Sequence, residues 1–327
     1  MTRREFLALL AGSAIAWSRD TLAQAPTKIY RLGSLDPARP LSANSPDAGI
    51  LLGALAERGY TLGRNLAYDA RASGGDNSKL PDLLNDFRAS GVDVIVTIGY
   101  PATLAAQRAG VPTVVAAGVG DPVATGLVKS LAQPGGAVTG ISDNATTLST
   151  KRLSLLKELL PKLARVAMLW NADDLGMSLR YETSAAAARS IGVTVLPLGV
   201  REPNDFARAF ETMDRELPDA ILMMSDTLTV LNRKRVLDYV AAKRLPAMYE
   251  SEPYVRAGGL MSYGADRKES FQRAAAMVDR IFKGAKPADL PFEQPTRYLF
   301  VINLGIAKAM GLEIPPQLLA LADEVIE

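Results

Sequence analysis

The sequence predicts an α/β protein of two similar lobes, each a Rossmann-like parallel sheet covered by helices. Three observations carry this. Short apolar runs alternate with amphipathic segments of helical length along most of the chain, the signature of strand–helix–strand crossovers, which are right-handed. The run Val92–Ile98 (VDVIVTI) is almost continuously apolar, as a strand buried on both faces must be. The alternation then restarts near residue 147, so the 327 residues fall into two runs; at roughly 150 residues per domain this gives two units.

In chain order, Lys28–Leu35 reads as the first strand and Pro46–Gly59 as a helix ended by Gly59. Leu66–Ala72 is a strand. In Asp76–Ser90 the side chains of Leu80, Leu83, Leu84 and Phe87 share one helical face, and Gly91 stops the helix. Pro101–Ala109 is a helix with proline in its first turn, where no N–H is needed. Pro112–Ala117 and Ala137–Ser142 complete the first set of strands. The helix Thr147–Leu160 crosses to the second lobe. There follow strand Arg165–Trp170, helix Met177–Ile191, strand Val193–Leu198, helix Pro203–Glu216, strand Ala220–Met224 and helix Leu228–Lys243. Short strands at Ala247–Tyr249 and Gly259–Tyr263 flank a small helix. Arg267–Lys283 is a long amphipathic helix, Tyr298–Asn303 a strand and Leu304–Met310 a helix, before a proline-rich tail ending in Leu318–Ile326. The expected division is 1–25 as an export segment, 26–145 as the N-terminal lobe and 146–264 as the C-terminal lobe. Residues 265–290 return to the N-terminal lobe, and 291–327 pack on the C-terminal one.

Composition excludes several chemistries. There are 37 Lys and Arg against 35 Asp and Glu, which gives no basic surface for nucleic acid. There is no Cys and no His, so thiolate nucleophiles, Ser-His-Asp triads and Cys or His zinc sites are ruled out. No Walker-type phosphate loop and no Gly-x-Ser-x-Gly elbow occurs. Gly118-Val119-Gly120 is only a fragment of a dinucleotide fingerprint. No cofactor, metal or catalytic residue is expected.

The first residues read as an address. Arg3 and Arg4 precede Phe6–Trp17, an apolar stretch, which is followed by Ala23-Gln24-Ala25. Basic, apolar and small-residue segments in that order make a secretory signal, and the paired arginines before Phe-Leu resemble a twin-arginine one. The apolar stretch is shorter than the roughly 20 residues that span a bilayer. A periplasmic, monomeric protein without a lipid anchor is expected.

In parallel α/β sheets the ligand crevice lies at the carboxyl ends of the strands. The loops there supply the candidates: Ser34; Tyr100, Pro101, Ala102 and Thr103; Asp121; Asp143 and Asn144; Asn171; Ser225 and Asp226; Tyr249; Tyr263 and Asp266. Tyr100, Trp170, Tyr249 and Tyr263 suit a flat or apolar ligand body. Asp143, Asp226 or Asp266 suits an ammonium, and helix N-termini suit a carboxylate. Asp173-Asp174 and Glu250/Glu252 read as solvated loop acids, and Arg233-Lys234-Arg235 as an exposed helix face.

Several stretches resemble the ABC-transporter substrate-binding protein family that includes tryptophan-binding members. They are Val119–Val128, Ser130–Gly136, Ala257–Gly264, Glu293–Thr296, Val301–Leu312 and Pro315–Ile326. The resemblance implies a type I periplasmic binding-protein fold with a three-crossing hinge, a small-molecule ligand closed between the lobes, and an ABC permease as partner. Its members with assigned ligands tend to bind aromatic or apolar amino acids. Amino-acid-binding relatives commonly carry Gly-Thr/Ser-Pro-Ala where this chain has Gly99-Tyr100-Pro101-Ala102, which leaves the ligand open. The other readings are an exported carboxylate-dependent enzyme using the same cleft and a periplasmic sensory subunit.

Overall fold

The computed structural model describes residues 28–145 and 147–327; the expected export segment, 1–25, lies outside them. The N-terminal lobe is a five-stranded sheet in the order β2-β1-β3-β4-β5. Its strands are β1 Tyr30–Asp36, β2 Leu66–Ala72, β3 Val94–Ile98, β4 Thr113–Ala117 and β5 Val138–Gly140. All its pairs are parallel. Leu32, Val94, Val96 and Val114 pack into one face cluster and Leu35 and Ile95 into the other, which explains why β3 reads as unbroken apolar sequence.

The C-terminal lobe has seven strands in the order β12-β11-β10-β9-β8-β6-β7. These are β6 Arg165–Asn171, β7 Thr194–Val200, β8 Ala220–Met223, β9 Ala247–Tyr249, β10 Met261–Ala265, β11 Tyr298–Asn303 and β12 Glu324–Ile326. Two apolar clusters again cover its two faces.

The chain crosses between lobes three times. It leaves β5 through Ile141–Leu148 to the helix Ser149–Leu159 of the second lobe. It returns after β10 into helix Arg267–Phe282, whose Phe271, Ala274, Ala275, Val278 and Phe282 sit in the N-terminal core. It stays there to Glu293, which bridges Ile141, and enters the second sheet at Tyr298. The crossings are tied together: Asp266 N–H donates to the Arg297 carbonyl at 3.0 Å, and the Asn144 side-chain amide to the Tyr298 hydroxyl at 3.0 Å.

Three details differ from the sequence expectation. β11 runs antiparallel to β10, with Ala265 opposite Tyr298. The chain leaves and re-enters this sheet at the same end, so the returning strand must run the other way. The tail adds a strand, β12, parallel to β11. The segment 228–243 is two helices, Thr227–Leu231 and Arg233–Lys243. Asn232 ends the first and begins the second with its side chain bonded back to the Leu228 carbonyl at 2.9 Å; Asn competes for local backbone groups and breaks helices in this way.

Candidate functional site

The carboxyl ends of the parallel strands in both sheets face one another, and a cavity of about 290 Å³ lies between them. The two lobes approach closely at two points. A Cβ placed on Gly75 of the first lobe would lie 2.8 Å from Leu231 Cδ1 of the second, and one placed on Gly176 would lie 3.7 Å from Tyr100 Cβ. At the floor, Gly264 allows β10 to pass the loop after β9: a Cβ there would lie 1.9 Å from the Glu250 carbonyl oxygen.

That approach sets up the first charged feature. Glu250 follows β9 and accepts from two buried arginines. Arg152 Nη1 donates to Oε1 at 3.0 Å and Arg180 Nη1 to Oε2 at 2.5 Å. The Ser225 N–H adds a third bond to Oε2 at 2.8 Å. Arg180 also donates from Nη2 to Asp143 Oδ2 at 3.1 Å, joining the second lobe to the first crossing. Asp143 Oδ1 in turn accepts from the N–H groups of Gly120 and Ala145. Arg152 completes its fork on the carbonyls of Tyr263 and Ala145. Side-chain exposure is 2% for Arg152, 1% for Arg180 and 6% for Glu250. Two cations meet two anions, so the network is neutral in itself, the condition under which buried charge is tolerated. Burial pulls the Arg180 guanidinium toward neutrality, but Glu250 and Asp143 together hold it above its usual value.

The second charged feature has no such balance. Asp174 follows β6 and caps helix Leu175–Ser190, accepting from the Met177 N–H at 3.1 Å. Asp226 follows β8 and caps helix Thr227–Leu231 through a reciprocal bond set with Thr229. Its other oxygen accepts from the Asn171 amide at 2.6 Å. Both carboxylates line the cavity, and neither forms an ion pair among the described residues. Burial first, and the neighbouring Asp226 second, push the Asp174 carboxyl up to about 6. Burial likewise raises Asp226.

The first lobe contributes Asp36, Arg39 and Asp47 with Arg267 at the return crossing. Arg267 pairs with Asp47. Desolvation raises Asp36, opposed by its bond from the Ala38 N–H and by Arg267. Helix Tyr100–Ala109 begins at the cavity from Gly99, whose φ of 81° is in the left-handed region, and no side chain caps this end. Much of the remaining wall is small or apolar, including Ile98, Ala117, Ala145, Val230, Pro253 and Tyr254.

Of the residues expected in the site, Tyr100, Pro101, Asp143, Ser225 and Asp226 line the cavity. The others have different partners. Ser34 is buried and accepts from the Tyr68 hydroxyl. Ala102 belongs to the core, and Thr103 bonds to Thr97 and the Gly99 carbonyl. Asp121 caps its own turn at the N–H groups of Val123 and Ala124. Asn144 and Tyr263 pair with Tyr298. Asn171 holds Asp226 from behind. Tyr249 is fully buried and stacks on Tyr254 at 5.1 Å, and Trp170 stacks on Tyr181 at 3.7 Å. Asp266 caps helix Arg267–Phe282. Asp143 is also corrected in role, because Arg180 already neutralises it.

Two expectations about loop acids are overturned. Asp174 and Glu250 are buried, because the second lobe folds both strand ends under the first. Arg233 is not simply an exposed charge: it lines the cavity with its guanidinium 5.8 Å from the Tyr254 ring. Arg152, Arg180 and Arg267 lie on helices, outside the strand-end loops that supply the sequence candidates. One signal was available for Arg152. It stands between Leu148 and Leu156 at helical spacing, a charge on an otherwise apolar face.

Residues 42–326 match the family described as ABC transporter substrate binding protein. The chain belongs to this family. It is 26% identical over 262 residues to a tyrosine-binding protein of Clostridioides difficile, covering 80% of this chain and 75% of that one. The fold is that of a conserved domain protein from Vibrio cholerae, with a TM-score of 0.84 and 25% identity, covering 91% of this chain and 100% of the other. It is also that of an ABC domain from Streptococcus pneumonia solved in complex with L-Trp. There the TM-score is 0.82 and the identity 28%, again over 91% of this chain and 100% of the other. The two lobes with parallel-dominated sheets are those of a type I periplasmic binding protein, and the family's role is to bind a small solute.

Proposed function

We propose that this substrate-binding protein is the periplasmic component of an ABC importer and captures an amino acid with an aromatic or apolar side chain by closure of its lobes. The observation that carries the ligand class is the carboxylate pair of buried Asp174 and half-buried Asp226 in the cavity wall, neither of which has an ion-pair partner among the described residues. A ligand ammonium supplies the missing charge. The uncapped start of helix Tyr100–Ala109 offers N–H groups to the ligand carboxylate, and Arg39 lines the same side, where Arg267 is paired with Asp47. The small and apolar wall accepts the side chain. Burying an aromatic group contributes about 2–3 kcal/mol, whereas micromolar binding needs about 8 kcal/mol. The charge-assisted bonds at both ends of the ligand supply the difference.

The relatives support the class, since one binds tyrosine by name and another holds L-Trp. The signal-like start of the chain, with Arg3 and Arg4 before an apolar stretch, supports export, and a membrane permease is the partner that a family member requires. Thermal unfolding against a panel of the standard amino acids tests the ligand. Aromatic or branched members should raise the melting temperature by linkage. A panel that produces no shift removes the amino-acid reading. A second reading rests on Asp174, since a carboxyl held near 6 beside another carboxylate also suits acid–base chemistry. Recovery of each ligand unchanged after long incubation excludes it.

A further inference from the structure

We propose that Tyr100 is a partition that limits the length of the ligand, dividing one continuous cleft into an inner chamber and an outer groove. The proposal rests on the cavity between the lobes being the ligand site. A second cavity, of about 540 Å³, lies beside the first. Helices Leu80–Ala89 and Tyr100–Ala109 form its first-lobe side, and the loop from Asn171 to Asp174 closes it from the second lobe. Tyr100, Pro101 and Asp174 belong to the walls of both cavities.

Only Tyr100 among these three is both large and free of anchoring bonds. Pro101 is locked by its ring in the first helical turn. Asp174 is held by its capping bond to the Met177 N–H. Tyr100 is 8% exposed and held by packing in a satellite cluster with Val119 and Leu127. Gly176 faces its Cβ from the other lobe with little space between, so Tyr100 stands where the lobes meet. The inner chamber sits at the lower edge of the roughly 300–1,000 Å³ usual for small-molecule sites. The outer groove is larger and is lined by Leu80, Leu84 and Leu104 with Arg88 and Arg108 at its rim. A ligand too long for the inner chamber meets this groove on the far side of the Tyr100 ring.

The test compares the wild type, Tyr100→Phe, Tyr100→Leu and Tyr100→Ala by calorimetry. The probes are L-tyrosine and L-tryptophan and three extended forms: glycyl-tyrosine, tyrosyl-glycine and O-benzyl-tyrosine. The wild type and Tyr100→Phe should bind a parent amino acid and reject the extended forms by at least tenfold. Tyr100→Ala should bind one extended form at least tenfold more tightly than the wild type does. Tyr100→Leu keeps apolar packing, and should show the same change in smaller measure should the alanine variant fold poorly. In parallel, compounds copurifying with each protein are weighed by native mass spectrometry, and those on the alanine or leucine variant should be heavier. A folded variant with the wild-type rank order and the wild-type copurified masses overturns the proposal, as does a wild type that accepts the extended forms as well as their parents. If the wild type binds neither amino acid, the aromatic form of the amino-acid reading fails by itself. The copurified masses then decide the partition, and equal masses refute it.

Discussion

Two sets of buried charge share the cleft, and they are built on opposite principles. Arg152, Glu250, Arg180 and Asp143 bond to one another and to backbone groups until each charge has a counter-charge. Asp174 and Asp226 bond only to helix N-termini, Thr229 and Asn171, and retain net negative charge. The acids of both sets follow strand ends, whereas the arginines of the first set come from the helices Ser149–Leu159 and Leu175–Ser190. The difference is where the compensation comes from. A network neutral within the chain ties β9 and β10 to helix Leu175–Ser190 and to the first crossing. A pair left uncompensated gains its counter-charge only from something that enters the cavity. Charge accounting within a cleft thus separates groups that hold the fold from the groups proposed to hold the ligand.

The sharpest break comes from Glu250→Ala. It strands Arg152 and Arg180 together in the interior, and stability measured by urea unfolding should fall by about 3–5 kcal/mol, the usual cost of halving a buried pair. A loss below about 1 kcal/mol would mean that the network relaxes into water and is not a closed unit.

Asp226→Asn tests the other set. It keeps the shape and the capping bond while removing the charge and the acceptor of the Asn171 bond, so stability should fall by only about 1 kcal/mol. Affinity for a bound amino acid should fall by about 1.5–3 kcal/mol, the range for hydrogen bonds to charged groups. Unchanged affinity in calorimetry would show that the ammonium is placed elsewhere.

A smaller effect follows from pH. Asp174 titrates near 6 in the folded protein, above the ordinary carboxyl value of 3.8. The folded state therefore holds this proton more tightly than the unfolded chain, and ligand-free stability should decline as pH rises from about 4 through 6. The ligand ammonium favours the ionised form, so affinity should rise several-fold between pH 5 and pH 7.5 with release of a proton. Calorimetry in buffers of different ionisation enthalpy reads that proton, and Asp174→Asn should abolish it.

The smallest effect is expected at Ser34→Ala. Among the described residues the Ser34 hydroxyl bonds only to the Tyr68 hydroxyl, so the variant should lose about 1 kcal/mol of stability or less and bind ligand within twofold of the wild type. A larger loss of affinity would place Ser34 in the site after all.

The strand–helix alternation was legible because burial on two faces imposes apolar composition directly, as in Val94–Ile98. The helix starts at Tyr100 and Arg267 were legible within a residue because proline and aspartate act locally. Asn232 was harder to read, since an Asn inside a helical pattern breaks the helix only when its side chain turns back on its own backbone. β12 was hidden because a three-residue strand carries almost no periodicity. At the site, the strand-end rule led to Tyr100, Ser225 and Asp226. It gave no means of telling a cavity wall from a helix cap, and Asp226 is both.

By itself the sequence determined the alternation of elements, the split into two runs and the exclusion of thiol and imidazole chemistry. Those properties are local, set by composition and by backbone preferences a few residues long. Tertiary structure alone decided which carboxylates are compensated. The partners of Asp143 and Glu250 are arginines 37 and 70 residues away, and Asp174 acquires its raised pKa from burial and from Asp226 on another strand end. Charge in a low-dielectric interior is a property of neighbours in space, and neighbours across two lobes are fixed only when the chain has crossed between them three times.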